Sequence, residues 1–156
     1  MKIRRHQPAG IRGYVFDCAE NREMVQGMKT ESQRFKQTFK LWKDFSFEAA
    51  HQLKNVPEGH QCGRLHGHSY KVRVHCEGML DPKMEWVVDY ADIAKATRPV
   101  IERLDHTFLN DHLPFETTAE NLAWWLCETI RESLPQLSAV EVFETPTTSV
   151  TCAYNH

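Results

Sequence analysis

Apolar and polar residues alternate along two stretches of the chain, each with the two-residue period of a half-buried strand. In "FKLWKDFSFEAAH" (39–51), Phe39, Leu41, Phe45 and Phe47 share one side. In "HGHSYKVRVHCEG" (66–78), His66, His68, Tyr70, Val72, Val74 and Cys76 do so. The turn-rich "NVPEGHQCG" separates them. "MLDPK" turns the chain again, and "EWVVDY" reads as a further short strand.

The period then changes. Along "ADIAKATRPVIERL", Ile93, Ala94, Val100, Ile101 and Leu104 recur at helical spacing, with Pro99 marking a kink. "DHTFLNDHLPFE" reads as loop. "TTAENLAWWLCETIRESL" is the clearest helix. Thr117 and Glu120 are spaced as a capping box, and Leu122, Trp125, Leu126, Thr129 and Ile130 form its apolar stripe. Two strands, "SAVEVFET" and "SVTCAY", joined by a turn around Pro146, complete the order. Antiparallel strands with two helices on one face predict an α+β domain.

Residues 1–36 show neither period. They hold eight Lys and Arg against four Asp and Glu, a net +4, whereas the remainder is net −6. An accessory or flexible extension over 1–36 is expected to precede a folded domain over 37–156. Met24 and Met28 leave open a start downstream of Met1. The whole chain of 156 residues is long enough for one domain with a real core.

Its formal charge of −2 provides no bulk field for nucleic acid. No apolar run approaches the length of a membrane span, and the N-terminus lacks a secretory apolar region. Five scattered cysteines without a CxxC pair argue against a disulfide framework and for a reducing, cytoplasmic setting.

The candidate chemistry centres on histidine. His66 and His68, two apart on a strand, point to one face, and Gly67 between them admits a close neighbour on the other. Antiparallel pairing of 39–51 with 66–78 sets His51 beside them as a third ligand. Three neutral imidazoles with an open fourth position suit a catalytic zinc, although copper, iron and nickel also accept imidazole.

Cys62, four residues before His66, has two open roles. It either closes the metal site as a fourth ligand or, beside His60 and Arg64, serves as a reactive thiolate. Asp105 and His106 place an acid next to a proton carrier. Glu144 is a strand-end carboxylate able to accept two parallel N–H bonds from a pterin- or guanine-like ring. Lys54 and Arg64, near His51 and Cys62 in the chain, are candidate cations for an anionic group.

The segments "FSFEAAHQL", "EGHQCGRLHGHSYKV", "WVVDYADI", "ERLDHTFLND", "TAENLA" and "VFET", in this order between Lys40 and Tyr154, resemble the 6-pyruvoyltetrahydropterin synthase / 6-carboxytetrahydropterin synthase family. The resemblance implies one zinc per subunit on His51, His66 and His68, with Cys62 as catalytic cysteine and Asp105 and His106 as its partners. Glu144 would anchor the pterin, with Glu120 as a second pterin-side glutamate.

It also implies the tunnelling fold, a four-stranded antiparallel sheet with two helices on one face. Trimers would close their sheets into a barrel, and two rings would stack as a homohexamer. The Cys62-x3-His66 spacing resembles the carboxy-forming branch of queuosine biosynthesis rather than the C-x5-H-G-H of the pyruvoyl-forming enzymes.

The implied reaction converts 7,8-dihydroneopterin triphosphate to 6-carboxy-5,6,7,8-tetrahydropterin, acetaldehyde and triphosphate. Its alternatives are pyruvoyl formation and a non-catalytic, zinc-stabilised binding module. A zinc hydrolase is disfavoured because no HExxH helix is present. The sequence departs from the family at Thr117, where many relatives have proline, and over 1–36, which matches nothing in the pattern.

Overall fold

The computed structural model describes residues 31–154. Most of the expected 1–36 extension, with Met24 and Met28, lies outside the described residues. Helix α1 (Glu31–Arg34) leads into strand β1 (Phe39–His51). A 3-10 turn (Gln61–Gly63) precedes β2 (His66–Gly78). Helix α2 (Tyr90–Glu102), strand β3 (Thr107–Phe108) and helix α3 (Leu109–His112) follow. Helix α4 (Ala119–Arg131) and strands β4 (Leu137–Thr145) and β5 (Thr148–Ala153) complete the described chain.

The strands form one sheet in the order β3-β1-β2-β4-β5. β1 and β2 pair antiparallel over their full length, from Phe39 opposite Gly78 to His51 opposite His66. The alternation therefore turns Phe47, Tyr70, Val72, Val74, Val140 and Val142 toward the helices, where they are buried. Ile93 of α2 and Leu122, Leu126 and Ile130 of α4 close the core from above and are fully buried. Each such side chain contributes about 1.5–3 kcal/mol, so this layer fixes the sheet that carries the histidines.

The architecture corrects the expected tunnelling fold of four antiparallel strands and two helices. Among the described residues the sheet is mixed and five-stranded, four helices accompany it, and it remains open with β3 and β5 at its edges rather than closed as a barrel. The added strand, β3, runs parallel to β1 through Ala49–Thr107 and Ala50–Phe108. Its cause lies one residue earlier in each strand. Glu48 N–H donates to Asp105 Oδ1 (2.9 Å), and His106 N–H donates to the Glu48 carbonyl (2.6 Å). The free edge of β1 is thereby taken by a segment that the sequence reads as loop.

"EWVVDY" is not a strand. Asp81 Oδ1 accepts the backbone N–H groups of Lys83 (2.8 Å) and Met84 (2.7 Å), and Asp81 N–H donates to the Trp86 carbonyl (2.8 Å). Asp89 then caps α2 by accepting from Ala91 N–H (2.7 Å). The run between these two aspartates packs Val88 into the core instead of joining a ladder.

The N-cap of α4 is Thr118, whose side chain accepts from Asn121 N–H (3.3 Å), so the expected Thr117–Glu120 box is absent. Thr117 is buried immediately before the helix. No helix among the described residues is long and apolar enough to cross a membrane.

Candidate metal centre and active site

The register of β1 on β2 sets His51 opposite His66 and Ala49 opposite His68, so three imidazoles converge at one end of the helix-covered face. Their ring centroids are 4.4 Å (His51–His66), 5.1 Å (His51–His68) and 5.0 Å (His66–His68) apart. One ligand atom from each lies within 4.8 Å of the others. A Cβ on Gly67 would stand 3.1 Å from the Ala49 carbonyl oxygen, so glycine is what permits this close strand approach.

The tautomers are fixed by the backbone. His51 Nδ1 lies 2.8 Å from the Thr117 carbonyl and His66 Nδ1 lies 2.7 Å from the Arg64 carbonyl. A carbonyl only accepts, so both Nδ1 atoms donate, and the neutral rings turn bare Nε2 atoms toward each other at 3.0 Å. Two lone pairs at that distance repel, and His68 Nε2 nearby is buried without a partner. Three converging imidazoles fit a cation, and the outer hydrogen bonds of His51 and His66 are of the kind that metal-ligating histidines characteristically make. Burial is the main reason that His51 titrates below its ordinary value, outweighing the Thr117 carbonyl and Glu144, which act in the opposite direction. The neutral, ligating form is favoured.

A cavity of about 270 Å³ opens on the cluster, walled by the three histidines, Cys62, Glu144, Gln61 and Leu53. Cys62 stands in the 3-10 turn, its N–H donating to His60 Nδ1 (3.1 Å) and its carbonyl accepting from Leu53 N–H (2.9 Å). Its thiol shares the cavity but is not part of the ligand cluster, which among the described residues consists of the three histidines. Glu144 Oε1 is 4.0 Å from His51 Nε2. It also walls a second cavity of about 220 Å³, which Glu120 and Thr118 line from the start of α4. Exposed Glu120 thus shares with Glu144 a cavity that the histidines do not line.

Asp105 and His106 lie elsewhere. They form a pair, Asp105 Oδ2 to His106 Nδ1 at 3.0 Å, on the turn into β3. His106 takes a left-handed backbone (φ 56°), unusual for a residue with a Cβ and held here by its bond to Glu48. The Glu48 N–H, followed by the His106 side chain, holds the Asp105 carboxyl below the usual aspartate range. His106 opens onto a cavity of about 510 Å³ shared with Glu48, Ser69 and Phe108, and His68 alone also lines the Cys62 cavity. Within one chain the pair and the cysteine are not brought together.

The model of the family described as 6-pyruvoyl tetrahydropterin synthase matches residues 40–155. This chain belongs to that family. A 6-carboxy-5,6,7,8-tetrahydropterin synthase of Synechocystis is 39% identical over 116 residues, spanning 70% of this chain and 88% of the relative. The human 6-pyruvoyl tetrahydrobiopterin synthase is 32% identical over 117 residues, spanning 64% and 81%. The solved Caenorhabditis elegans 6-pyruvoyl tetrahydropterin synthase superposes with a TM-score of 0.70 at 26% identity, covering 76% of this chain and 97% of that one. Membership makes the chain a pterin-processing enzyme, and the relatives named above carry two different synthase names.

Several residues that build the site escape sequence reasoning. The carbonyls of Thr117 and Arg64 orient His51 and His66, and backbone groups leave no signature in side-chain patterns. Asn110 clasps Gln52 through both its amide atoms (2.9 and 2.8 Å), fixing the chain just after His51. Glu116 accepts from Lys54 N–H and secures the other side of the same loop. The polar pair Asn110–Asp111 after the apolar Phe108–Leu109 is the hint that the sequence offers of the first clasp.

Proposed function

We propose that this protein is a zinc-dependent carbon–carbon lyase that cleaves the side chain of 7,8-dihydroneopterin triphosphate. One observation carries the reading: Cys62 shares a cavity with three converging histidines, two of them oriented by backbone carbonyls, and with Glu144, yet stands outside the ligand set. His51, His66 and His68 would hold a single zinc, which supplies Lewis-acid polarisation of the substrate hydroxyls. Cys62 as thiolate removes a proton from the side-chain carbon, and charge spreads into the dihydropterin ring. Glu144 accepts the ring N–H and amino groups and keeps the reacting atoms in register, with Glu120 beside it.

Asp105 orients His106, which relays protons. Because His106 and Cys62 line different cavities in one chain, this reading has the pair supplied by a neighbouring subunit of a homo-oligomer, a hexamer of two stacked trimers. Residues 37–156 form the catalytic unit and 1–36 an accessory extension, in a cytoplasmic enzyme.

Two reactions are open to this site, the second of which eliminates triphosphate without breaking a carbon–carbon bond. The Cys62-x3-His66 spacing and the Synechocystis relative support 6-carboxytetrahydropterin with acetaldehyde and triphosphate, a product of queuosine biosynthesis. The pyruvoyl reading has the broader support: the family model, the human relative and the Caenorhabditis structure all carry that name.

Incubation of the zinc-loaded protein with 7,8-dihydroneopterin triphosphate, with products identified by mass, separates the two. Acetaldehyde with the carboxy product selects the first reading, and pyruvoyltetrahydropterin selects the second. No turnover by the assembled, zinc-loaded protein overturns both.

A further inference from the structure

The cavity around Cys62 and the histidines, about 270 Å³, falls below the roughly 300–1,000 Å³ of ordinary small-molecule sites. Its charged side chain is Glu144, an anion, so apart from the zinc proposed there, which engages the substrate hydroxyls, it offers a triphosphate little room and no cationic side chain. Directly behind the Cys62 turn lies another cavity of about 440 Å³, walled by the loop from Gln52 to Arg64. Leu53 lines both spaces. Three of this second cavity's side chains, Lys54, His60 and Arg64, can donate to an anion, against one carboxylate, Glu58.

We infer that this loop cavity is the polyphosphate subsite, with Lys54, His60 and Arg64 as its donors. The inference rests on the proposed substrate and deepens it. Local chemistry supports each donor. His60 Nδ1 accepts from Cys62 N–H (3.1 Å), so the neutral ring carries its proton on Nε2 and keeps a donor to offer. Arg64 presents a planar fork matched to phosphate oxygens, and its own carbonyl orients His66.

The loop is framed rather than loose. Gln52 Nε2 donates to the Gly63 carbonyl (2.7 Å), Leu53 N–H to the Cys62 carbonyl (2.9 Å) and Lys54 N–H to Glu116. Gly59, with φ 83°, makes the reversal that returns His60 toward Lys54, and a Cβ there would meet nothing within 4 Å. A phosphate chain in this cavity and a pterin at Glu144 would place the connecting carbons across Cys62 and the histidines.

The test uses inorganic tripolyphosphate, titrated calorimetrically into the zinc-loaded full chain, with zinc content measured before and after because the probe also chelates metal. The Lys54→Ala/Arg64→Ala double variant is expected to weaken tripolyphosphate binding by about tenfold or more, since two charge-assisted contacts are lost. Zinc content should stay unchanged. Lys83→Ala, on a distant turn, should leave binding intact.

With 7,8-dihydroneopterin triphosphate, the double variant should raise KM by a similar factor while kcat holds. Equal binding by variant and parent, equal loss in Lys83→Ala, or binding that disappears when zinc is removed would each overturn the subsite. Turnover with unchanged KM in the double variant refutes the subsite and leaves the proposed function standing. Tripolyphosphate binding lost in the double variant, without turnover in the parent, does the reverse.

Discussion

The histidine cluster and the Asp105–His106 turn stand at the same end of β1, three residues apart in the strand ladder, yet they are built by opposite means. His51 is 1% exposed, its ring clamped by a buried carbonyl and its pKa lowered by burial. The side chain of His106 is 77% exposed, held through its backbone and an adjacent carboxylate. Alternation explains the split: odd residues of β1 face the helices, whereas Glu48, which anchors the turn, faces outward. The histidine cluster is preorganised within the chain. The Asp105–His106 pair, at the sheet edge, stays open to solvent within one chain.

If this contrast is sound, the largest effect belongs to the buried side. His66→Ala is expected to abolish both metal retention and turnover, measured by metal analysis of the purified variant and product assay, with the fold intact by circular dichroism. Cys62→Ala should retain the metal and lose about 100- to 10,000-fold in kcat, the span for removing a general acid or base.

His106→Ala removes an exposed group and is expected near the lower end of that span, about 100-fold, with no change in metal content or unfolding midpoint. A loss of metal in this variant would erase the distinction between the two regions. Thr118→Ala, which deletes the α4 cap next to the carbonyl that orients His51, should lower stability by about 1 kcal/mol in denaturant titration.

The smallest effect concerns pH. The Asp105 carboxyl is held below the ordinary aspartate value of 3.8 by the Glu48 N–H and then by His106. A depressed folded value means that its stabilising bonds are present above the unfolded value and lost as pH falls through the folded one. The turn should therefore keep its geometry from neutral pH down to pH 5, and an NMR titration of Asp105 should give a midpoint below 3.8. A midpoint at or above the ordinary value would mean that Glu48 does not hold this turn.

What could be read from the chain follows from how far each signal reaches. The long alternations of 39–51 and 66–78 fix both strands and, through His51 and the His66–His68 pair, the metal cluster, because a ladder carries its register along its length. Thr107 and Phe108 are too few to show any period, so β3 and with it the mixed sheet stay hidden. Val87 and Val88 look like a strand, but the Asp81 and Asp89 side chains take the backbone into turns, a competition that apolar patterning does not register. Cys62 is the instructive intermediate. Its spacing admits two roles, and only the packing of the 3-10 turn separates its thiol from the ligand cluster.

The most direct test of that separation is the zinc stoichiometry and turnover of Cys62→Ala measured on one preparation. One zinc per chain with turnover lost is the expected result, since the three histidines hold the ion without the thiol. Zinc lost together with turnover would make Cys62 a fourth ligand and contradict the catalytic reading of the site.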